Sequence, residues 1–311
     1  MLSIPLRAVA LALLIHTLWG GNPVAVKLSI EAFPPMWTAF YRFLIGVLCV
    51  GAFAVATGVR VWPERGEWPA LVAIALLFTV QIGLMNVGFG MTTGAVGAVV
   101  IATNPLFGAL FSHFLVPDDR LRPLRALGLA VAFVGTATAI LAGRAPGGDG
   151  VVAGLGLVEA GSMILLVSAA LLGLRLAISG RVLRRIHETR VAVWQMLLSL
   201  PLFWVAGMLG EPVRWERATA GPVLGLLFQG VVIAGIAFVI NFALMRRHPP
   251  SIIVSFNFVS PVAGVLLAAW ILGESPSAGL LLGMILVAVG LVLVTWRGTR
   301  AIGSSPGGPG R

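Results

Sequence analysis

Charge is what this sequence has least of. Only 10% of its 311 residues are Asp, Glu, Lys or Arg, against about 25% in an ordinary soluble domain. So few charges cannot cover a water-exposed surface. Cysteine is nearly absent too. The one present, Cys49, falls inside an apolar run, which excludes a disulfide framework and a cysteine metal cluster. The four histidines (His16, His113, His187 and His248) lack the spacing of a zinc site. There is no G-x-x-x-x-G-K-[ST] loop, so the chain cannot use ATP alone. No aspartate-rich metal motif or nucleophile elbow argues for an intramembrane enzyme, and no cofactor is expected. Acidic residues number 11 against 21 basic ones, leaving a net charge of +10. Nucleic-acid binders gather such charge on a solvent-exposed face. Here the basic residues sit in short loops between apolar segments, so nucleic acid is not expected as a partner.

Apolar residues are what the sequence has in abundance: 59% of the chain, with a mean hydropathy of +1.02. Apolar runs lie at 6–27, 33–57, 68–89, 93–116, 122–142, 151–174, 190–209, 220–244, 250–272 and 277–296. A bilayer-crossing helix needs about 20 such residues. The fold class expected is therefore an all-α polytopic membrane protein with ten transmembrane helices and the lipid bilayer as partner. The first run has no A-x-A cleavage site before a polar region, so it reads as a retained span. Ten spans place both termini on one side. Lys27, Arg144, Arg214 and Arg217 fall on the opposite side and Arg42 within a span, leaving the other 16 basic residues on the side of the termini. By the positive-inside rule that side is cytoplasmic. Trp37, Trp62, Trp68, Trp215 and Trp296 lie near span ends, as interfacial anchors do. The Gly-, Pro- and Ser-rich 298–311 reads as a disordered tail.

The stretch Pro146-Gly147-Gly148-Asp149-Gly150 divides the chain into two sets of five spans, 1–145 and 146–297. Features recur about 155 residues on. Asn86 and Phe89 resemble Asn241 and Phe242; Thr103-Asn104-Pro105 resembles Val259-Ser260-Pro261; Gly128 and Gly135 resemble Gly283 and Gly290. Five is an odd number, so the second set is inverted relative to the first. Inverted repeats are an architecture of secondary transporters, with substrate bound near the midplane. Pro23, preceded by Gly20 and Gly21, together with Pro105 and Pro261, marks positions where helices kink or break. The same glycines also permit close helix packing.

Trp19-Gly20 with Lys27 closing span one, Pro34-Pro35 followed by Arg42, and Pro261 before Leu272-Gly273-Glu274 complete a pattern. Over about residues 6–297 the chain resembles the drug/metabolite transporter superfamily, EamA type. The first repeat departs from that pattern after span four, where Asp118-Asp119 replaces the Leu-x-Glu form. The resemblance implies a carrier of amino acids, metabolites or drugs, closest in character to bacterial exporters of aromatic and other neutral amino acids.

Polar groups inside apolar spans are expensive and are functional candidates by default. They are His16, Asn22, Arg42, Gln81, Asn86, Asn104, Glu159, Gln195, Gln229, Asn241 and Asn257. Amides can donate to a carboxylate and accept from an ammonium. Trp19, Tyr41, Phe89, Trp194, Phe238 and Phe256 can wall an apolar side chain. The substrate-binding set expected is Trp19, Gln81, Asn86, Trp194, Phe238, Asn241 and Asn257. Each amide can equally be an interhelical bridge worth about 0.6 kcal/mol. His16 is a candidate proton carrier, although a membrane histidine can equally be a bridge. Arg42 and Glu159 lie at matching depth in different repeats, so an ion pair is expected. Together these readings describe export of amino acids (neutral, possibly aromatic) or similar small metabolites by alternating access. Organic-cation efflux and a passive channel are the alternatives. The sequence leaves the oligomeric state open, and a monomer is compatible with it.

Overall fold

The computed structural model of the chain describes residues 5–115, 123–143, 156–183, 185–247, 253 and 256–295. Asp118-Asp119, Arg144, the divider at 146–150, Trp296 and the tail at 298–311 lie outside the described residues. Among the described residues there is no strand; the chain is a bundle of apolar helices.

Its helices are α1 (Leu6–Gly20), α2 (Asn22–Ile30), α3 (Pro35–Ala56), α4 (Trp68–Met91), α5 (Gly94–Ile101), α6 (Asn104–Leu115) and α7 (Pro123–Ala142), followed by α8 (Leu157–Val182), α9 (Glu188–Leu209), α10 (Ala220–Leu227), α11 (Phe238–Arg247), α12 (Val259–Leu272) and α13 (Ala278–Thr295). A π-helical stretch, Phe228–Ala237, joins α10 to α11. Helices α1 and α2 form one bent span, and so do α5 and α6. Nine segments among the described residues are long and apolar enough to cross a membrane. The tenth, Phe256–Ile271, is shorter, and part of the run expected at 250–272 is outside the described residues.

Helix α8 starts later than the apolar run predicts. Gly156 is extended at φ −69° and ψ 165°, and the helix begins only after it. This moves every side chain of that span about six residues relative to the expected start at 151, with consequences for the site below.

Packing pairs the two halves about a pseudo-twofold relation. Helices α7 and α13 pack along their length, and the repeat-related glycines meet there. A Cβ on Gly128 would lie 2.9 Å from the Gly290 carbonyl oxygen, and one on Gly290 would lie 2.6 Å from that of Gly128. Helix α1 meets α12 as α8 meets α6. A Cβ on Gly20 would lie 2.6 Å from the Ser260 carbonyl oxygen; one on Gly173 would lie 2.8 Å from the Asn104 carbonyl oxygen. Gly20 and Gly173 are 153 residues apart, and Asn104 and Ser260 are 156 apart. Without a hydrophobic drive between helices in lipid, such small residues let backbones approach and gain dispersion contacts.

Candidate transport site

A cavity of about 420 Å³ lies between the two halves, within the range of small-molecule sites. The bend of the first span is at its wall. Helix α1 ends at Gly20, Gly21 turns, and α2 restarts with Asn22-Pro23. Proline at the start of a helix loses no bond it would otherwise make. Trp19, Gly20, Asn22 and Pro23 all line the cavity, while Gly20 is also pressed against α12. Bend and close packing therefore occur together. Pro105 stands in the first turn of α6, after a turn at Ala102-Thr103. Pro261 stands in the first turn of α12, after a 3-10 turn at Phe256–Phe258. The two repeats thus interrupt their fourth spans at equivalent positions. Asn104 and Ser260 line the cavity at those interruptions.

Two arginines supply the charge of the interior. Arg42 of α3 is 6% exposed, and its buried Nε and Nη1 have no hydrogen-bond partner. Its guanidinium sits 5.1 Å from the Phe43 ring centroid. Arg175 of α8 sits 5.0 Å from the Phe78 ring centroid and donates through Nη1 to Gln195 Oε1 at 2.9 Å. Phe43 and Phe78 touch edge to face, with centroids 4.7 Å apart. The two guanidiniums thus flank one aromatic pair, each in cation–π contact with a ring.

The expected ion pair is not formed. Arg42 makes no bond to Glu159, which lies in the first turn of α8. Because α8 starts at Leu157, Glu159 is two residues into the helix, where the positive end of the dipole favours an acid. The same displacement carries Arg175, expected at a cytoplasmic helix end, into the cavity.

Other candidates separate into cavity and framework. Of the residues proposed to bind substrate, Trp19, Gln81, Phe238, Asn241 and Asn257 line the cavity. Gln81 is also tied to α8, its Nε2 donating to Ser168 Oγ at 3.1 Å. Asn86 does not line it; its Nδ2 donates to the Pro35 carbonyl at 2.8 Å, holding the start of α3. Trp194 does not line it either. Its indole donates to the Val61 carbonyl at 2.7 Å and packs on Trp62 and Trp68. Gln229 is a bridge, donating to Ser29 Oγ at 2.8 Å and to the Ala25 carbonyl. His16 is 2% exposed and spends Nδ1 on the Ala12 carbonyl of its own helix at 2.8 Å, off the cavity wall.

The two ends of the cavity differ. Arg190, at the start of α9, binds the Glu67 carboxylate at 2.5 and 2.7 Å, so α4 and α9 start on one side. The cavity reaches that side at Leu183 and Glu188. Helix α4 runs from there to Met91, and at the opposite end the two repeats are bonded to each other. Gly273 adopts the left-handed conformation (φ 66°) that ends α12. Glu274 then accepts from the Gly94 N–H at 2.6 Å and the Ala95 N–H at 2.8 Å. A carboxylate on the unpaired N–H groups of a helix start is doubly favoured, by hydrogen bonds and by the dipole. Lys27 Nζ donates to the Thr92 carbonyl at 2.8 Å beside it.

Comparison with known proteins agrees with this arrangement. The profile of the EamA-like transporter family matches residues 6–141 and again residues 159–296. The chain belongs to the EamA-like transporter family. As an EamA-like transporter it is similar to the inner membrane transporter YedA of Escherichia coli (strain K12), 28% identical over 89% of this chain and 88% of that one. It is similar to the transporter YvbV of Bacillus subtilis (strain 168), 26% identical over 92% and 90%. It is also similar to a probable amino-acid metabolite efflux pump of Salmonella typhimurium (strain LT2), 24% identical over 91% and 93%. A solved crystal structure aligns with a TM-score of 0.68 at 24% identity, covering 92% of this chain and 96% of its own. That likeness shows the fold alone. The two family matches fall on the two sets of five spans, so this EamA-like chain is a repeat protein whose cavity lies between its repeats.

Proposed function

We propose that this transporter is a secondary carrier of the inner membrane that exports amino acids or similar small carboxylate-bearing metabolites by alternating access. The observation that carries the reading is Arg42. It is a buried guanidinium with free donors on the wall of a cavity between inverted repeats. A charge held in a membrane interior costs at least about 2.5 kcal/mol on insertion scales, so it marks a substrate path. A guanidinium matches a carboxylate in geometry and charge. The apolar walls and the amides of Gln81, Asn241 and Asn257 fit the remainder of such a molecule. The name of the Salmonella relative points the same way.

The organic-cation alternative is opposed by two arginines inside the cavity, with Glu188 only at its rim. A passive channel is opposed by the Glu274 tie across the far end. The excess of basic residues on the side of Glu67 and Arg190 supports that side as cytoplasmic, with both termini there and the cavity reaching it. Counterflow in proteoliposomes against a panel of amino acids and cationic dyes tests this reading. Stimulation by amino acids supports it, and stimulation by dyes alone replaces it with drug efflux.

A further inference from the structure

The intramembrane amides and the family resemblance point to a neutral substrate, with Arg42 expected to pair with Glu159. The cavity holds two arginines, and among the described residues neither is in an ion pair. Arg175 has one neutral partner, Gln195. Arg42 has buried Nε and Nη1 without any hydrogen-bond partner.

The repeat relation sharpens the comparison. Asn22 and Arg175 are 153 residues apart, as are Arg42 and Gln195. Each repeat therefore places one arginine and one amide at equivalent positions, with the order exchanged. In the second repeat the amide accepts from the arginine's Nη1, and the arginine's Nε is left buried without a partner. In the first repeat no such bond is made: Asn22 Oδ1 is buried without a partner, as are Nε and Nη1 of Arg42. Leaving buried charged donors unmet is costly, so the site is built for an acceptor that arrives with the cargo.

We propose that the cargo is an organic anion carrying two carboxylates, one received by Arg42 and the other by Arg175 in competition with Gln195. This deepens the proposed function and rests on the cavity being the transport site. One carboxylate neutralises only one of the two guanidiniums, and a zwitterion brings an ammonium into a field that repels it. A dicarboxylate neutralises both. Its carbon chain then lies along the Phe43 and Phe78 rings between the arginines, where an ammonium group is tolerated only as a third charge on a molecule still net negative. Each guanidinium can offer a carboxylate two parallel N–H bonds.

The test uses the purified full chain in proteoliposomes loaded with radiolabelled succinate. Exchange is driven by external succinate, leucine, putrescine or inorganic phosphate. Succinate is expected to stimulate efflux at least tenfold over leucine and putrescine, with phosphate inert. Arg42→Gln and Arg175→Gln should each reduce that exchange at least tenfold, and Arg42→Lys should keep part of it. Melting of the detergent-solubilised protein supplies a second readout. Succinate should raise the melting temperature of the wild type and not of Arg42→Gln, whose own melting temperature should be no lower than wild type. A framework arginine would instead leave the variant less stable. Stimulation by leucine or putrescine in vesicles loaded with the same compound, without succinate, overturns the dicarboxylate inference and leaves the transport reading standing. Stimulation by phosphate alone overturns it as well. If no compound exchanges, the transport reading fails, and absence of a succinate-specific melting shift then overturns the dicarboxylate inference on its own.

Discussion

A Cβ built on Gly135 would lie 2.8 Å from the carbonyl oxygen of Gly283, and one built on Gly283 would lie 2.6 Å from that of Gly135. These residues occupy α7 and α13, one from each repeat, and the contact is reciprocal because the repeats are. Gly283→Ala forces backbone against backbone, for which no rotamer change compensates. Overpacking of this kind costs about 1–3 kcal/mol, and the detergent melting temperature should fall by several degrees. Gly51→Ala is the control, since nothing lies within 4 Å of a Cβ there. It should leave stability unchanged or slightly higher.

Glu274 predicts a change in access rather than in affinity. With Glu274→Gln the helix start at Gly94 and Ala95 keeps an acceptor but loses the full charge, so the far end should open more often. In a Cys49→Ser background, Ala102→Cys places a thiol on the cavity wall. An impermeant maleimide applied from the Glu274 side should label it several-fold faster when Glu274→Gln is added. Unchanged labelling would mean that other contacts hold that end closed.

Asn86 and Trp194 should behave as framework. Asn86→Ala leaves the Pro35 carbonyl without its donor, and Trp194→Phe does the same to Val61. Each loss of a buried bond costs about 1–3 kcal/mol of stability. Substrate KM in proteoliposomes should stay within about twofold. Asn257→Ala, on the cavity wall, should move KM while leaving melting near wild type.

The spans were legible in the sequence because about 20 apolar residues are needed to cross a bilayer and nothing else demands them. The recurrence of Gly128 and Gly135 as Gly283 and Gly290 was legible as a repeat, whereas their meeting across α7 and α13 came only from the structure, where close backbone approach admits only small residues. The site was legible in part. Trp19, Gln81, Phe238, Asn241 and Asn257 reach the cavity, but Asn86 and Gln229 are the same residue types used as bridges. Membrane helices are apolar on all faces, so no polar stripe tells which amide looks inward. Arg175 was missed for a different reason. Val151-Val152-Ala153-Gly154-Leu155-Gly156 is apolar enough to read as the start of a span, yet α8 begins at Leu157. That displacement made Glu159 look deep and Arg175 look peripheral.

The proposed orientation rests on the distribution of arginine. Epitope tags at residues 1 and 311 should both resist external protease in spheroplasts. Digestion of either tag would reverse the assignment of the cavity to the cytoplasmic side.

In the proposed carrier cycle Arg42 receives the carboxylate of the substrate, and initial rates of counterflow at rising substrate concentration measure whether it does. Wild-type protein should show saturable uptake accelerated by substrate inside, Asn86→Ala should retain it, and Arg42→Gln should lose it. Flux that rises linearly with concentration and is indifferent to substrate on the far side, unchanged by Arg42→Gln, would contradict both the carrier and the site.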